Sequence, residues 1–161
     1  MGEWFECKVK YEKTLEDGKI QKVSEPYIVD AINFTEAERR IIEELQPYIS
    51  GEFNVSDIKR VKYVEIIETK SDSADKWFKC KISFIIPDEK SGKEKRVAQN
   101  YLVQASNLQN AIIRIEEYLN TGQLDYNIVA INETLIMDVF HYKENAPEGF
   151  IPIEKEGVSN E

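Results

Sequence analysis

The hexamer Trp4-Phe5-Glu6-Cys7-Lys8-Val9 recurs as Trp77-Phe78-Lys79-Cys80-Lys81-Ile82, 73 positions further along the chain. The chain has only two tryptophans and two cysteines, and all four sit at matching places in these hexamers. Chance is a poor account of that coincidence, so the sequence reads as an internal duplication. Two copies of one unit must fold alike and then bury whatever apolar surface each copy leaves open. That requirement limits the architecture more than any other feature.

Each hexamer opens a run with a period of two. Phe5, Cys7, Val9 and Tyr11 fall on one side, and Trp4, Glu6, Lys8 and Lys10 on the other. That is the pattern of a half-buried strand. Phe78, Cys80, Ile82 and Phe84 against Trp77, Lys79, Lys81 and Ser83 repeat it. Glu16-Asp17-Gly18-Lys19 and the stretch 87–93 with Ser91-Gly92 then predict hairpin turns, because glycine suits positive φ. Second strands follow. Val23, Tyr27, Val29 and Ala31 match Val97, Tyr101, Val103 and Ala105 at an offset of 74. Pro26 predicts an edge, a bulge or two shorter segments in the first of them.

Helices open at Asn33 and Asn107, which suit the N-cap position. In the first, Asn33 with Glu36 or Thr35 with Glu38 would each make a capping pair. Phe34, Ala37, Ile41, Leu45 and Tyr48 recur at helical spacing, and Leu108, Ala111, Ile115 and Leu119 match the first four. Phe53–Glu68 and Tyr126–Phe140 return to strand character, with Phe53, Val55 and Ile58 matching Tyr126, Ile128 and Ile131 at an offset of 73.

The expected fold is therefore α+β. It is a tandem duplication of a ββαβ unit, an antiparallel sheet with one helix per repeat, packed as one compact pseudo-twofold domain that shares or stacks its sheets. The first repeat spans 1–70, the polar stretch 71–76 links the two, and the second repeat spans 77–142. The acidic segment 143–161 reads as a flexible tail, in which Phe150-Ile151-Pro152-Ile153 could dock as an edge segment.

No apolar run approaches the roughly 20 residues that span a bilayer. The N-terminus lacks the basic and apolar regions of a secretory signal, so a cytoplasmic protein without membrane association is expected. The net charge of −9 disfavours general binding to phosphate backbones. The charge is uneven, however. Residues 1–70 carry 11 basic and 15 acidic side chains, whereas residues 77–142 carry 7 and 8. A local basic face remains open to the second half.

Trp4-Phe5-Glu6-Cys7-Lys8-Val9-Lys10-Tyr11, Val29-Asp30-Ala31 with Phe34-Thr35-Glu36-Ala37-Glu38, and Tyr48-Ile49-Ser50-Gly51-Glu52-Phe53 together carry a resemblance. Leu102-Val103-Gln104-Ala105-Ser106 and Met137-Asp138-Val139 extend it. Residues 3–142 resemble an uncharacterised family of Bacteroidota and their mobile elements, a domain of unknown function (family 4494). The resemblance implies no reaction, ligand or catalytic residue.

Chemistry has few footholds. His141 is the one histidine, too few for a conventional zinc site. Cys7 and Cys80 lie among inward residues, where thiols are normally inert. Glu65 and Asp138 interrupt apolar strands at matched places; alternation makes them outward residues, and a carboxylate pair meeting across the pseudo-twofold is the alternative. No catalytic residue, metal site or cofactor is expected.

Binding is the better class. Trp4 with Lys8 and Lys10, and Trp77 with Lys79 and Lys81, make two matched stripes of aromatic and cationic residues. Lys93, Lys95 and Arg96 could extend the second. Single-stranded nucleic-acid binders stack bases on such rings and track phosphates with such lysines. Otherwise each tryptophan packs under a loop or against the other repeat. The function expected is a non-enzymatic accessory or binding protein with a protein partner, associated with phage or mobile elements. The alternative is a single-stranded nucleic-acid binder using the two stripes. Oligomeric state is left open.

Overall fold

The computed structural model describes residues 2–141, so the segment 143–161 and its Phe150–Ile153 stretch lie outside the described residues. In chain order the elements are β1 (Glu3–Thr14), β2 (Ile20–Ala31), α1 (Phe34–Leu45), β3 (Phe53–Val61) and β4 (Glu65–Ile67). They are followed by β5 (Lys76–Pro87), β6 (Glu94–Ala105), α2 (Leu108–Leu119), β7 (Asp125–Glu133) and β8 (Val139–Phe140). The fold is mixed α+β, with two helices and eight strands in two four-stranded sheets among the described residues.

Local chemistry explains most boundaries. Asn33 accepts from the Glu36 amide at 2.8 Å, and Glu36 reaches back to the Ile32 amide at 3.0 Å. Asn107 and Asn110 do the same at 2.8 and 3.1 Å. These are reciprocal caps that satisfy donors a helix leaves open. Gly18 and Gly92 take φ of +84 and +69 at the two hairpin turns. The first turn spans 15–19 between β1 and β2, and the second spans 88–93 between β5 and β6. The second turn is one residue longer, which is why matched residues shift from an offset of 73 to one of 74.

Pro26 sits in an unbroken β2 opposite Lys8. Its carbonyl accepts from the Met137 amide, on the side away from β1. A residue's N–H and C=O point the same way in a strand, so the missing N–H costs the β1–β2 ladder nothing. A bulge in β3 opposite Lys8 and Val9, and one in β7 opposite Lys81 and Ile82, let Ile58 and Ile131 stay inward three residues after Val55 and Ile128.

The sheets are ordered β3-β1-β2-β8 and β4-β6-β5-β7. The final short strand of each half thus completes the other half's sheet. β8 runs parallel to β2 with Ile28 opposite Val139, and β4 runs parallel to β6 with Ile66 opposite Leu102. The expected closing strand 135–140 is reduced to β8, preceded by a bridge in which the Ile28 amide donates to the Asp138 carbonyl.

Three cores result. Phe5, Cys7, Val9, Tyr27 and Val29 pack under Ala37, Ile41 and Leu45 of α1. Phe78, Cys80, Ile82, Tyr101 and Val103 pack under Ala111, Ile115 and Leu119 of α2. A third cluster joins the opposite faces of the two sheets through Ile28, Ile66, Trp77, Leu102, Ile136 and Val139, with Trp4, Val61 and Tyr63 at its margin. Three members of the expected helical stripes do not follow them: Phe34 and Leu108 are about half exposed, and Tyr48 is 80% exposed. Phe34 and Leu108 are the first residues of their helices, and Tyr48 lies beyond the end of α1. Ala74, in the stretch expected as a polar linker, is buried.

Candidate functional site

The two tryptophans do not stand on exposed faces. Trp77 is 2% exposed within the third cluster. Trp4 is half-buried at its margin, with its ring edge-on to His141 at 5.3 Å. This corrects the outward placement read from alternation. The parity was right, since both rings lie opposite the phenylalanine–cysteine face. At the strand starts, however, that face is covered by the other sheet. The sequence carried a signal for this cover: Tyr27-Ile28-Val29 and Tyr101-Leu102-Val103 are apolar on both faces, as strands buried on both sides are.

The lysines separate from the tryptophans. Lys8, Lys10, Lys79 and Lys81 are all exposed. On the first sheet, Lys8 lies between Pro26 and Asp57, and Lys10 between Ser24 and Asn54. Glu6, Glu12, Asp57 and Asp30 share that face, so it is of mixed sign. On the second sheet, Lys79 lies between Leu102 and Asn132, and Lys81 between Asn100 and Ala130. Arg96 lies on the same face opposite Ile85. With the Asn127 amide turned to meet both its neighbours, Arg96 donates to its side-chain oxygen at 3.3 Å. Ile85, amides and small side chains fill the rest of this surface, and among the described residues acids enter only at the hairpin end, with Glu94 and Asp125. The uncovered part of the outer face of the second sheet is thus a basic patch on an acidic protein.

Other candidates resolve as follows. Cys7 and Cys80 are free and fully buried, in different cores. Burial pushes each thiol up to about 12, with the acids Glu6, Asp57 and Glu38 adding to the effect at Cys7. Neither is a ready nucleophile. Glu65 and Asp138 are placed on different sheets: Glu65 accepts from the Tyr118 hydroxyl at 3.4 Å, and Asp138 from the Val139 amide at 2.8 Å. The pair that does meet is Glu68 and His141, three residues further on, at 2.5 Å. Arg40 donates to the His141 carbonyl at 2.8 Å, and Arg114 to the Glu68 carbonyl at 3.1 Å. Each helix therefore holds the end of the strand that completes its own sheet. These arginines went unnoticed in the sequence, where their matched positions at an offset of 74 were the available signal.

On the first sheet, Tyr11 and Tyr27 both donate to Glu25, at 2.7 and 3.2 Å. Burial, then that carboxylate, pushes the Tyr11 hydroxyl up to about 12. An open groove of about 890 Å³ lies nearby, between the end of α1 and the strands carrying Tyr11, Val23 and Phe53. Among the described residues, no group of three or more His, Cys, Asp or Glu side chains could hold a metal ion. No helix among them is long and apolar enough to cross a membrane.

A family model described as a domain of unknown function (DUF4494) matches residues 3–142. Comparisons with curated proteins and with solved structures found no match.

Proposed function

The chain belongs to the domain-of-unknown-function family DUF4494, and from that premise we propose a non-enzymatic binding protein that engages an acidic protein partner. The observation that carries this reading is the basic outer face of the second sheet, where Lys79, Lys81 and Arg96 stand among asparagines and alanines. Such a patch is out of keeping with a net charge of −9, and complementary charge steers and orients a partner. The equivalent face of the first sheet mixes signs and offers no such complement. The alternative, a single-stranded nucleic acid, keeps the four lysines but loses the stacking rings, because Trp77 is buried.

The test is capture of crosslinked partners from the native host with the wild type and with the K79E/K81E/R96E variant. The partner should be lost with that variant and kept with K8E/K10E. Oligonucleotide titration at low and moderate salt is the counter-experiment. Salt-sensitive binding that K79E/K81E/R96E removes would put the nucleic-acid reading in its place.

We also infer that the fold arose by tandem duplication of a ββαβ unit, 1–70 and 77–142 joined by 71–76, and packs as one pseudo-twofold domain. Matched strand lengths, matched caps and the reciprocal arginine contacts support this. An experimental structure with two dissimilar halves would overturn it. The setting we propose is the cytoplasm of a bacterium of the Bacteroidota, with a mobile element as context; the host and the element rest on the family resemblance alone.

A further inference from the structure

β3 and β7 are the outer strands on corresponding sides of the two sheets, and each pairs with one neighbour only among the described residues. Natural sheets guard such edges with charged side chains, because an unpaired row of N–H and C=O groups invites another strand. β3 is guarded. Asp57, Lys59 and Arg60 crowd its second half, with Lys59 paired to Glu6 at 3.5 Å and Arg60 to Glu3 at 3.4 Å. β7 is not. From Tyr126 to Asn132 it reads Tyr-Asn-Ile-Val-Ala-Ile-Asn, seven residues without a charge or a proline, and Val129 is 55% exposed.

The structure assigns β7 as the docking edge for an extended segment of a partner protein in which apolar and acidic residues alternate. The inference deepens the proposed function and rests on it. Strand addition supplies main-chain bonds, and the alternation of side chains supplies selectivity. On the helix-side face, an added strand would lie beside Tyr126, Ile128 and Ile131, all half-buried against the second core, which favours apolar side chains. On the outer face it would lie beside Asn127, Ala130 and Asn132. Behind these stand Lys81, with only Ala130 between it and the edge, Lys79 behind Asn132, and Arg96 reaching toward Asn127. That face favours acids. A second copy of this chain is a poorer occupant: its own β7 brings no acid to the outer face between Asn127 and Asn132, and a net charge of −9 opposes self-association.

The amides able to receive the segment follow from the ladder. The Thr134 amide donates inward to the Trp77 carbonyl, so by alternation the amides of Glu133 and Ile131 point to the free edge. The probe is a synthetic eight-residue peptide of alternating valine and glutamate, titrated into the full chain while backbone amide shifts and hydrogen exchange are followed. Expected are binding, slowed exchange at the Ile131 amide, and an affinity at least tenfold weaker for Val129→Lys and for K79E/K81E/R96E. A valine–lysine peptide should bind at least tenfold more weakly than its glutamate counterpart.

If the glutamate peptide fails to bind, or binds without slowing exchange at Ile131, the edge assignment is overturned. Equal binding of the lysine peptide overturns its chemistry. Slowed exchange at Ile131 in the peptide-free protein that grows with concentration would make a second copy the occupant, and overturns it also. If partner capture from the host depends on Lys79, Lys81 and Arg96 but not on Val129, the basic face binds and the edge does not; the proposed function then stands without this inference.

Discussion

β3 and β7 hold equivalent places, carry the same bulge and bury the same pattern of apolar residues, yet one is rimmed by charges and the other is bare. The tryptophans differ in a similar way: Trp77 is sealed in the third cluster, while its counterpart Trp4 sits at the margin beside His141. The inward faces are held alike because each must cover a helix. The outward faces are under no common packing demand, and they differ: the first mixes signs, while the second carries Lys79, Lys81 and Arg96. Where two halves with matching elements differ without a packing reason, function is the better place to look for the cause.

The largest effect should come from the tryptophans. Trp77→Ala removes a fully buried ring from the cluster that joins the sheets and should cost about 3–5 kcal/mol in urea unfolding. Trp4→Ala, at the margin, should cost about half as much by the same reasoning. Equal losses would mean that the two rings share one environment, and the contrast drawn between the sheets would fail at its centre.

Next in size is alkaline pH, where the sheets should agree. Unfolded thiols ionise near about 8.5, whereas burial pushes Cys7 and Cys80 up to about 12. The folded state thus favours the protonated thiol. That advantage is fully present below about pH 8.5 and is lost as pH rises from there toward 12. By pH 10 each thiol should have given up on the order of 1–2 kcal/mol. Cys7→Ala and Cys80→Ala should each shrink the drop between pH 7.5 and pH 10 by similar amounts. A drop carried by one cysteine alone would show that only one core is closed.

The helix caps offer a second test of sameness. Asn33 and Asn107 accept from their N3 amides at the same 2.8 Å, so Asn33→Ala and Asn107→Ala should each cost about 1 kcal/mol. Costs that differ severalfold would show that one helix start is held by something other than its cap.

Much of the fold was legible because local rules act within one unit. The Asn33 and Asn107 caps, the Gly18 and Gly92 turns and the Phe5–Cys7–Val9 face follow from spacing alone. What could not be read was the exchange of β4 and β8. Ile66 and Val139 look the same in sequence whichever sheet they join, since strand pairing across halves leaves no local mark. The misplaced tryptophans follow from that. Alternation named their face; the two-sided apolar runs at Ile28 and Leu102 hinted at a cover, and the pairing of the sheets places it over Trp77 and leaves Lys81 bare. The candidate site was visible in part, as Lys79, Lys81 and Arg96; the bare edge of β7 needed the strand order.

The smallest expected effect on stability tests the edge contrast directly. Asp57→Ala with Lys59→Asn gives β3 the residues that β7 carries at the matching positions, Ala130 and Asn132. Lys59 and Glu6 form an exposed pair at 3.5 Å, worth less than about 1 kcal/mol, so unfolding should move little. Association should change more. With two of its three guarding charges removed and only Arg60 left, β3 should accept added strand probes as β7 does and show slowed exchange at its own outward amides. The reverse change, Ala130→Asp with Asn132→Lys, should close β7 while the sheet still forms, because β3 already tolerates those residues over the same bulge. If the stripped β3 stays inert to every probe, charge was never what kept it closed, and the openness of β7 would need another explanation.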